Sequence, residues 1–466
     1  MKKVVSREGR GITSLIVLFV SLLVLTPLAM ADEAAPGAGG GGEGMLTRWM
    51  DNVAKPFKRL SNLTNIDVFR ELSPADVGHR PRVRPHFNFN QGFTSNASIR
   101  QRQADPAWQA RVAPGITVSI PSGKLYTEMD YTYGFSTTQG RRTHASLNTH
   151  NLSALARYDL SADTVFGVGN NFQISEVPGS GDATFMLETL TAQAKHRLGP
   201  KLMATLSDTF QWFRDESKLT SRLTNDFADN GVGAGLTYDA TSDLSVGPSF
   251  NWNVRNFTHR NQKDYWQIQP NLNTSYKLGP KTTVGGNFGW AFRRFKDTIG
   301  SNSDRTESEL VYGATASHLL GRKLVWSLSY AKSLQDTFDT SFVFKDTALA
   351  TELDNLDRDF RVIKSHRLGS SATYHFDERN SFGIWGDFSF LSGARDDNVV
   401  NGPHNGKNNE KAMEVGAKYS YRINHYISFD VLYAFGRRFA TDSINGNDDR
   451  RDYTFHKVTG GVNFTV

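Results

Sequence analysis

The side chains that could carry out chemistry are scattered along the chain and form no recognisable catalytic or metal-binding motif. Metal ligands need a close spacing that the histidines do not show. There is no Gly-x-Ser-x-Gly elbow and no phosphate-binding glycine loop. We therefore expect no enzyme, no metal site and no cofactor, although a site assembled from several loops remains an open alternative. The histidines considered are His144, His150, His196, His318, His366 and His375.

Apolar and polar residues alternate in many segments from about Val83 onward. In the segment from Trp266 to Leu278, one face carries Trp, Ile, Pro, Leu, Thr and Tyr, and the other carries Gln, Asn, Ser and Lys. Alternate side chains of a strand point to opposite faces, so this segment has one apolar and one wet side. A tilted strand crosses a bilayer in about 9–11 residues, which this segment exceeds.

Short turns and longer polar loops alternate between these segments. Short turns lie near 121–123, 161–163, 198–201, 240–242, 278–281, 320–323, 377–379 and 424–425, and the longer loops include 137–146 and 338–358. This pattern predicts an all-β fold, a transmembrane antiparallel up-and-down β-barrel over 81–466. We expect about 18 strands (16–18), with short periplasmic turns and long extracellular loops. A β-propeller would repeat at a similar interval but needs four short strands per repeat, whereas here there are two long ones.

The N-terminus has the order of a secretory signal peptide. A basic stretch ends at Arg10, an apolar run follows from Leu15 to Leu25, and Ala29-Met30-Ala31 is a small-x-small cleavage site. The apolar run is shorter than the roughly 20 residues of a spanning helix. We predict a signal peptide over 1–31 and a periplasmic linker with a short amphipathic helix over 32–80. That helix could rest against the barrel wall, plug the lumen or dock a periplasmic partner.

Composition supports an exported chain and argues against several function classes. Cysteine is absent, which excludes disulfides, thiolate metal sites and covalent haem attachment. The net charge of +6 is too small to favour nucleic acid as a partner. Hydrophobic residues make up 38% of the chain and the mean hydropathy is -0.45, so a bundle of membrane helices is not expected.

The polar faces of the strands predict the lining of a pore. Roughly two positive charges face each negative one there, which would favour anions unless opposite charges pair across the wall. Glu188 and Asp208 fall instead on faces assigned to lipid, and we expect a β-bulge or a position near the rim to explain them. The predicted pore-lining residues are Arg84, Arg111, Glu128, Asp130, Arg157, Lys195, Arg197, Arg255, Lys277, Arg293, Glu414, Lys418 and Arg422.

Two stretches carry a resemblance to known proteins. The aromatic-rich strand 125–131 and the Leu-Ser-x-Asp turn at 160–163 resemble the outer-membrane β-barrel porin family of uncharacterised bacterial proteins, some of which are linked to exopolysaccharide export. The alternating face that ends at Val466 resembles the C-terminal signal read by the barrel-assembly machinery. The resemblance implies a pore-like role in the outer membrane, among lipid and lipopolysaccharide.

The expected function is therefore a pore for small solutes, with two alternatives. One is an export conduit for polysaccharide, which would need a periplasmic partner. The other is a structural barrel or a sheath around a partner protein.

Overall fold

The computed structural model describes residues 81–95, 106–140, 144–177, 183–215, 226–257, 264–295, 306–336, 362–394, 408–440 and 453–465. The predictions for 1–31 and for 32–80 lie outside these residues. Within them no helix is long and apolar enough to cross a membrane. The strands are β1 (Arg82–Thr94), β2 (Ala107–Ser122), β3 (Leu125–Gly140), β4 (His144–Ser161), β5 (Thr164–Val177), β6 (Ala183–Gly199), β7 (Leu202–Asp215), β8 (Phe227–Asp239), β9 (Leu244–Phe257), β10 (Tyr265–Lys277), β11 (Thr282–Phe295), β12 (Thr306–Leu320), β13 (Leu324–Asp336), β14 (Val362–His375), β15 (Asn380–Ala394), β16 (Asn408–Arg422), β17 (Ile427–Ala440) and β18 (Tyr453–Thr465).

These strands form one closed antiparallel sheet in which each strand pairs with its neighbours in sequence. The first and last strands complete the ring, from the His86–Thr465 pair to the Thr94–Lys457 pair. The prediction of an 18-stranded up-and-down barrel is confirmed. Closure leaves no free sheet edge, so the wall strands can satisfy their backbone groups without water.

Tight connections lie at one end of the barrel, as the turn signals predict. The gap between β2 and β3 holds Gly123, and Gly279 and Gly321 occupy later gaps, all with positive φ that glycine adopts without strain. In the connection from β14 to β15, Asp377 accepts hydrogen bonds from the backbone N–H groups of Arg379 and Asn380, both at 2.7 Å. The side-chain hydrogen bond from Asn380, followed by these backbone bonds, lowers the pKa of Asp377.

One predicted loop is largely strand. The sequence predicts a loop over 137–146, but β3 continues to Gly140 and β4 begins at His144. The Thr137–Ser146 and Gln139–His144 pairs belong to the ladder between these two strands. Polar Thr and Gln residues suggested a loop, whereas backbone pairing with the neighbouring strand extends the wall.

The outer face of the barrel is a belt of exposed apolar side chains. Residues that pair directly across a ladder share a face, so the register assigns each side chain to the inside or the outside. Phe288 is 58% exposed and belongs to this outer face together with Leu272 and Phe250. In water such a surface would drive aggregation, whereas in a bilayer it faces acyl chains. The barrel therefore spans a membrane.

Tyrosine–histidine pairs recur on the outer face at one height. Tyr131, Tyr330 and Tyr433 are each the seventh residue of their strand, counted from the short-turn end. Each hydroxyl lies 2.8–2.9 Å from the Nδ1 atom of a histidine on the next strand. The seventh residue lies near the middle of each strand, and there the hydrogen bond offsets the cost of placing a hydroxyl and a ring nitrogen in the apolar belt. The histidines are His150, His366 and His456.

Glu188 and Asp208 remain on the outer face, so the expected β-bulge is wrong. The ladder between β6 and β7 runs without interruption through Glu188–Trp212 and Ala192–Asp208, and its one irregularity lies at Arg197/Gly199. Asp208 is the seventh residue of a 14-residue strand, which also excludes a rim position for it. Glu188 is partly compensated, since the Nδ2 atom of Asn170 donates to its Oε1 atom at 3.0 Å.

The apolar belt generates the first prediction. Replacing Phe288 by Arg should lower the free energy of unfolding by about 2–4 kcal/mol, the cost of a cation on the lipid face at mid-membrane. Denaturant titration of the barrel in lipid vesicles measures this. The control is Asn251→Arg, an exposed position on the inner face at a similar height. Equal destabilisation by both substitutions would contradict the assignment of faces.

Candidate functional site: the inner wall of the barrel

A carboxylate on the inner face of β3 is held by three neighbours. Glu128 lies opposite Ser119 of β2, and its Oε2 atom accepts hydrogen bonds from Tyr126 at 2.6 Å and from Ser119 at 3.2 Å. The Nη2 atom of Arg84 on β1 forms an ion pair with the same oxygen at 3.2 Å. Alternation places all four side chains on one face, and the register brings them to one level.

A second carboxylate is bound two residues further along β3. The Oδ2 atom of Asp130 accepts a hydrogen bond from the Thr117 hydroxyl at 2.6 Å and lies 2.9 Å from the Nε2 atom of His86. Its other oxygen accepts from Thr132 at 3.1 Å. The sequence did not identify His86 as part of the lining, because its partner is 44 residues away and only the register brings them together.

Further ion pairs lie around the wall. Arg157 pairs with Asp159 at 2.9 Å, Arg367 with Asp387 at 3.0 Å, and Lys418 with Asp430 at 3.2 Å. Several of the predicted lining cations are thus matched by an acid, which reduces the excess of positive charge inferred from sequence. The weak field that remains outside each pair falls off within about one Debye length, about 8 Å at physiological salt.

The wall from β7 to β11 is built differently, around a cluster of aromatic rings. Phe213 stacks on Phe227 with ring centroids 5.6 Å apart, Phe227 meets Phe257 edge-on at 6.1 Å, and Tyr265 meets Phe295 at 5.8 Å. All five residues lie near the long-loop ends of their strands, on the inner face. They form a buried apolar layer inside the barrel.

Two predicted lining arginines belong to this aromatic cluster. Arg255 is 8% exposed, bonds Asp229 through Nε at 2.7 Å and lies 4.5 Å from the Phe227 ring centroid. Arg293 is 3% exposed, donates to Gln267 at 2.9 Å and lies 4.3 Å from the Tyr265 centroid. The expectation that both present charge to the lumen is corrected, because ion pairing and cation–π contacts hold them within the wall.

Neutral amides line the inner face of β10 below this cluster. The Nε2 atom of Gln267 donates to Gln269 at 3.3 Å, Gln269 donates to Asn271 at 3.0 Å, and Asn273 donates to Ser249 of β9 at 2.9 Å. These groups carry both donors and acceptors and no net charge. They can exchange hydrogen bonds with passing water or solutes of either sign.

Glycines on the inner face make room for large neighbouring side chains. A Cβ atom built on Gly416 would collide with the ring of Trp385 on the adjacent strand, and one on Gly436 would collide with the ring of Phe455. A Cβ atom on Gly115 would likewise collide with the imidazole ring of His86. These side chains therefore lie along the wall, which leaves the centre of the barrel less obstructed than extended rings would.

The remaining predicted residues fall in two places. Arg111, Lys195 and Glu414 lie along the inner face, and Arg111 is exposed there. Arg197, Lys277 and Arg422 lie at or near the strand ends beside the short turns, where all three are exposed. These three face the short-turn mouth of the barrel and not its middle.

Several lining residues were missed in sequence reasoning. Asp229 lies in a strand in which the next three inner positions are glycines, so polarity gave no clear face. Asp159 and Arg367 lie on regular strands, and strict counting of alternate positions would have found them. Among the described residues no group of three or more His, Asp or Glu side chains could hold a metal ion.

The glycine contacts generate a second prediction. Gly416→Ala should force the indole of Trp385 off the wall, costing about 1–3 kcal/mol of stability as overpacking and lowering single-channel conductance. The matched control is Gly460→Ala, where a Cβ atom meets nothing within 4 Å. Adding Trp385→Ala to Gly416→Ala should restore the conductance. Wild-type conductance in Gly416→Ala alone would refute this account of the lumen.

Comparison with known proteins finds distant structural similarity only. No family model and no curated protein matches the chain. Pseudomonas aeruginosa OccK5 (OpdH) is similar in structure at 11% identity, with a TM-score of 0.45 over 82% of this chain and 98% of that one. OprD of the same organism is 11% identical, with a TM-score of 0.43 over 84% of this chain and 97% of that one. The siderophore receptor PirA, also from Pseudomonas aeruginosa, is 11% identical, with a TM-score of 0.43 over 83% of this chain and 80% of that one. By its architecture the chain is an outer-membrane β-barrel.

Proposed function

We propose that this protein is an outer-membrane pore for small polar solutes. The observation that supports it best is the inner wall, where bound carboxylates, neutral amides and side chains lying over glycines present a hydrophilic surface inside a closed apolar shell. Barrels of 16–18 strands are wide enough to leave an aqueous channel. A purely structural barrel would have no need of a hydrated interior.

The pairing of charges favours weak selectivity. Ion pairs at Glu128, Asp159, Asp387 and Asp430 offset the arginines and lysines beside them. Arg111 is exposed on the inner face and can still attract anions. We infer a modest anion preference at most, with passage of neutral and zwitterionic solutes, because paired charges present both signs to a solute.

The other two functions considered from sequence gain no support from the described residues. An export conduit for polysaccharide would be consistent with the family resemblance, and a sheath would need an apolar or complementary inner surface for its partner. Neither is favoured by a specific contact among the strands. The segment 32–80, where a periplasmic partner or a plug would act, lies outside the described residues.

The proposal predicts conductance from the full mature chain. Purified protein in planar bilayers should give discrete, steady current steps, and vesicles containing it should swell in solutions of small sugars and amino acids. Larger dextrans should not pass, since a barrel of 16–18 strands leaves a channel of limited width. Correctly inserted protein that passes neither ions nor small solutes would overturn the proposal.

The Arg84–Glu128 ion pair predicts opposite shifts in selectivity. Glu128→Gln leaves Arg84 uncompensated and should move the reversal potential toward anions, whereas Arg84→Gln should move it toward cations. A unit charge about 10 Å from a permeating ion in water contributes about 0.4 kcal/mol, or about a twofold change in permeability ratio. Ser119→Ala removes a hydrogen bond in the same network without changing charge, so its reversal potential should stay at the wild-type value. Shifts of the same sign in both charge variants would contradict the lining assignment.

A further inference from the structure

Primary amide side chains are concentrated on the inner face of three adjacent strands, β9 to β11. The register pairs Asn251 with Gln269 and Asn273 with Asn287, so amides of neighbouring strands lie side by side on the wall. Three members of the group are exposed residues and three are partly exposed. We call this group the amide track, and it comprises Asn251, Gln267, Gln269, Asn271, Asn273 and Asn287.

The amide track is an uncharged part of the inner wall. Between the row of Arg293 and that of Lys277, every inner position of β9, β10 and β11 is Asn, Gln, Ser, Thr, Gly or Ala. On the far side of the ring, β3 carries the carboxylates of Glu128 and Asp130. A charged solute can form ion pairs on that side, whereas the amide track offers hydrogen bonds without net charge.

Hydrogen bonds and glycines fix the orientation of these amides. Gln269 donates to Asn271 at 3.0 Å along β10. A Cβ atom on Gly289 of the next strand would collide with the amide oxygen of Asn271, so this glycine lets the amide lie along the wall. Gly313 makes the same room for Asn287. Amides held in this way lose less conformational freedom when they bind a ligand.

The length of the amide track indicates the size of a matching ligand. Alternate residues of a strand are about 6.7 Å apart, so the four amides of β10 extend over about 20 Å from Gln267 to Asn273. A single sugar ring reaches only part of that length, whereas a short chain of sugars reaches several amides at once. A hydroxyl group both donates and accepts hydrogen bonds, as a side-chain amide does, so the two are complementary.

The upper end of the track contains two polar atoms that need a partner. The register aligns Asn253, Gln267 and Arg293 in one row across β9 to β11. The Oδ1 atom of Asn253 and the Nη1 atom of Arg293 are buried, and neither has a hydrogen-bond partner in the part of the chain that the structure describes. An unpaired buried donor or acceptor costs free energy. A ligand with hydroxyl groups can satisfy both atoms, because a hydroxyl accepts from the arginine and donates to the amide oxygen.

From these contacts we propose that the amide track is a binding site for neutral oligosaccharides that enter the barrel. The proposal rests on the pore function above and names the class of solute that the pore favours. Sugar hydroxyls exchange hydrogen bonds with the amides of β9 to β11, and the row of Asn253 and Arg293 holds the upper end of the sugar chain. Successive similar amides let the solute move from one to the next, since passage needs several weak sites instead of one tight one.

The test measures how maltotriose, a neutral trisaccharide, blocks the ion current through the full mature chain in planar bilayers. A sugar bound inside the barrel interrupts the current, so the concentration that gives half-maximal block reports the affinity. Maltotriose should block the current reversibly. Polyethylene glycol of similar mass should block more weakly, because its ether oxygens accept hydrogen bonds and cannot donate them to the amide oxygens.

The variants remove amides without changing charge. For Asn251→Ala/Asn287→Ala, half-maximal block should need about tenfold more maltotriose, as expected for the loss of two neutral hydrogen bonds. The matched control Asn88→Ala/Asn90→Ala makes the same chemical change on the inner face of β1, across the ring from β10, and should be blocked as wild type is. The single variants Asn251→Ala and Asn287→Ala provide the same test, with smaller losses, should the double variant assemble poorly.

A second measurement separates this proposal from the pore function. Calorimetry on the purified protein in detergent detects maltotriose binding without any current. Binding without ion conductance would overturn the proposed pore alone and support the amide track. Steady conductance with neither block nor binding would overturn the amide track alone. Equal losses in the track and control variants, or equal block by polyethylene glycol, would also overturn it, since neither result depends on amide–hydroxyl contacts.

Discussion

Every backbone donor and acceptor within the membrane must find its partner in the chain itself, and the ladder between β1 and β18 is where that requirement is finally met. The two strands are separated by the length of the barrel sequence, so closure depends on all intervening hairpins having the correct register. A slip of one residue in any hairpin would reverse inside and outside for the strands that follow. The apolar belt and the hydrophilic inner wall are therefore consequences of one constraint.

Within this closed barrel, two regions of the inner wall stabilise their charged side chains in different ways. On β1 to β3, carboxylates are solvated by hydroxyls, a histidine and an arginine, as at Glu128 and Asp130. On β7 to β11, arginines are buried against aromatic rings and one acid, as at Arg255 and Asp229. The first arrangement keeps charges near water, and the second stiffens the wall near the long-loop end. Both arrangements make the net charge presented to the lumen smaller than the count of charged residues on the polar strand faces suggests.

Alternation of polarity predicted the barrel because a two-residue period is a local property that the sequence displays directly, most clearly in β10. The ends of the strands were harder to predict from the sequence. Thr137 and Gln139 have loop-like composition, yet pairing with β4 makes them strand. Contacts between particular side chains were the hardest to predict. The contact between Arg255 and Asp229 spans 26 residues and depends on the register of β8 against β9. In β8, Gly231, Gly233 and Gly235 occupy inner positions and hide the alternation that would have placed Asp229.

The early end of the ladder between β12 and β13 has a consequence for the motions of the barrel. That ladder comprises nine residue pairs, whereas the one between β13 and β14 comprises thirteen. Beyond Tyr312 and Lys332, side-chain ion pairs through Glu309 stand where backbone hydrogen bonds would otherwise hold the strands together. Because fewer backbone pairs join these two strands than join β13 and β14, this seam is a place where the wall can open locally at a lower cost in free energy. The wall is thus held unevenly, with shorter backbone ladders at this seam and at the closure between β1 and β18.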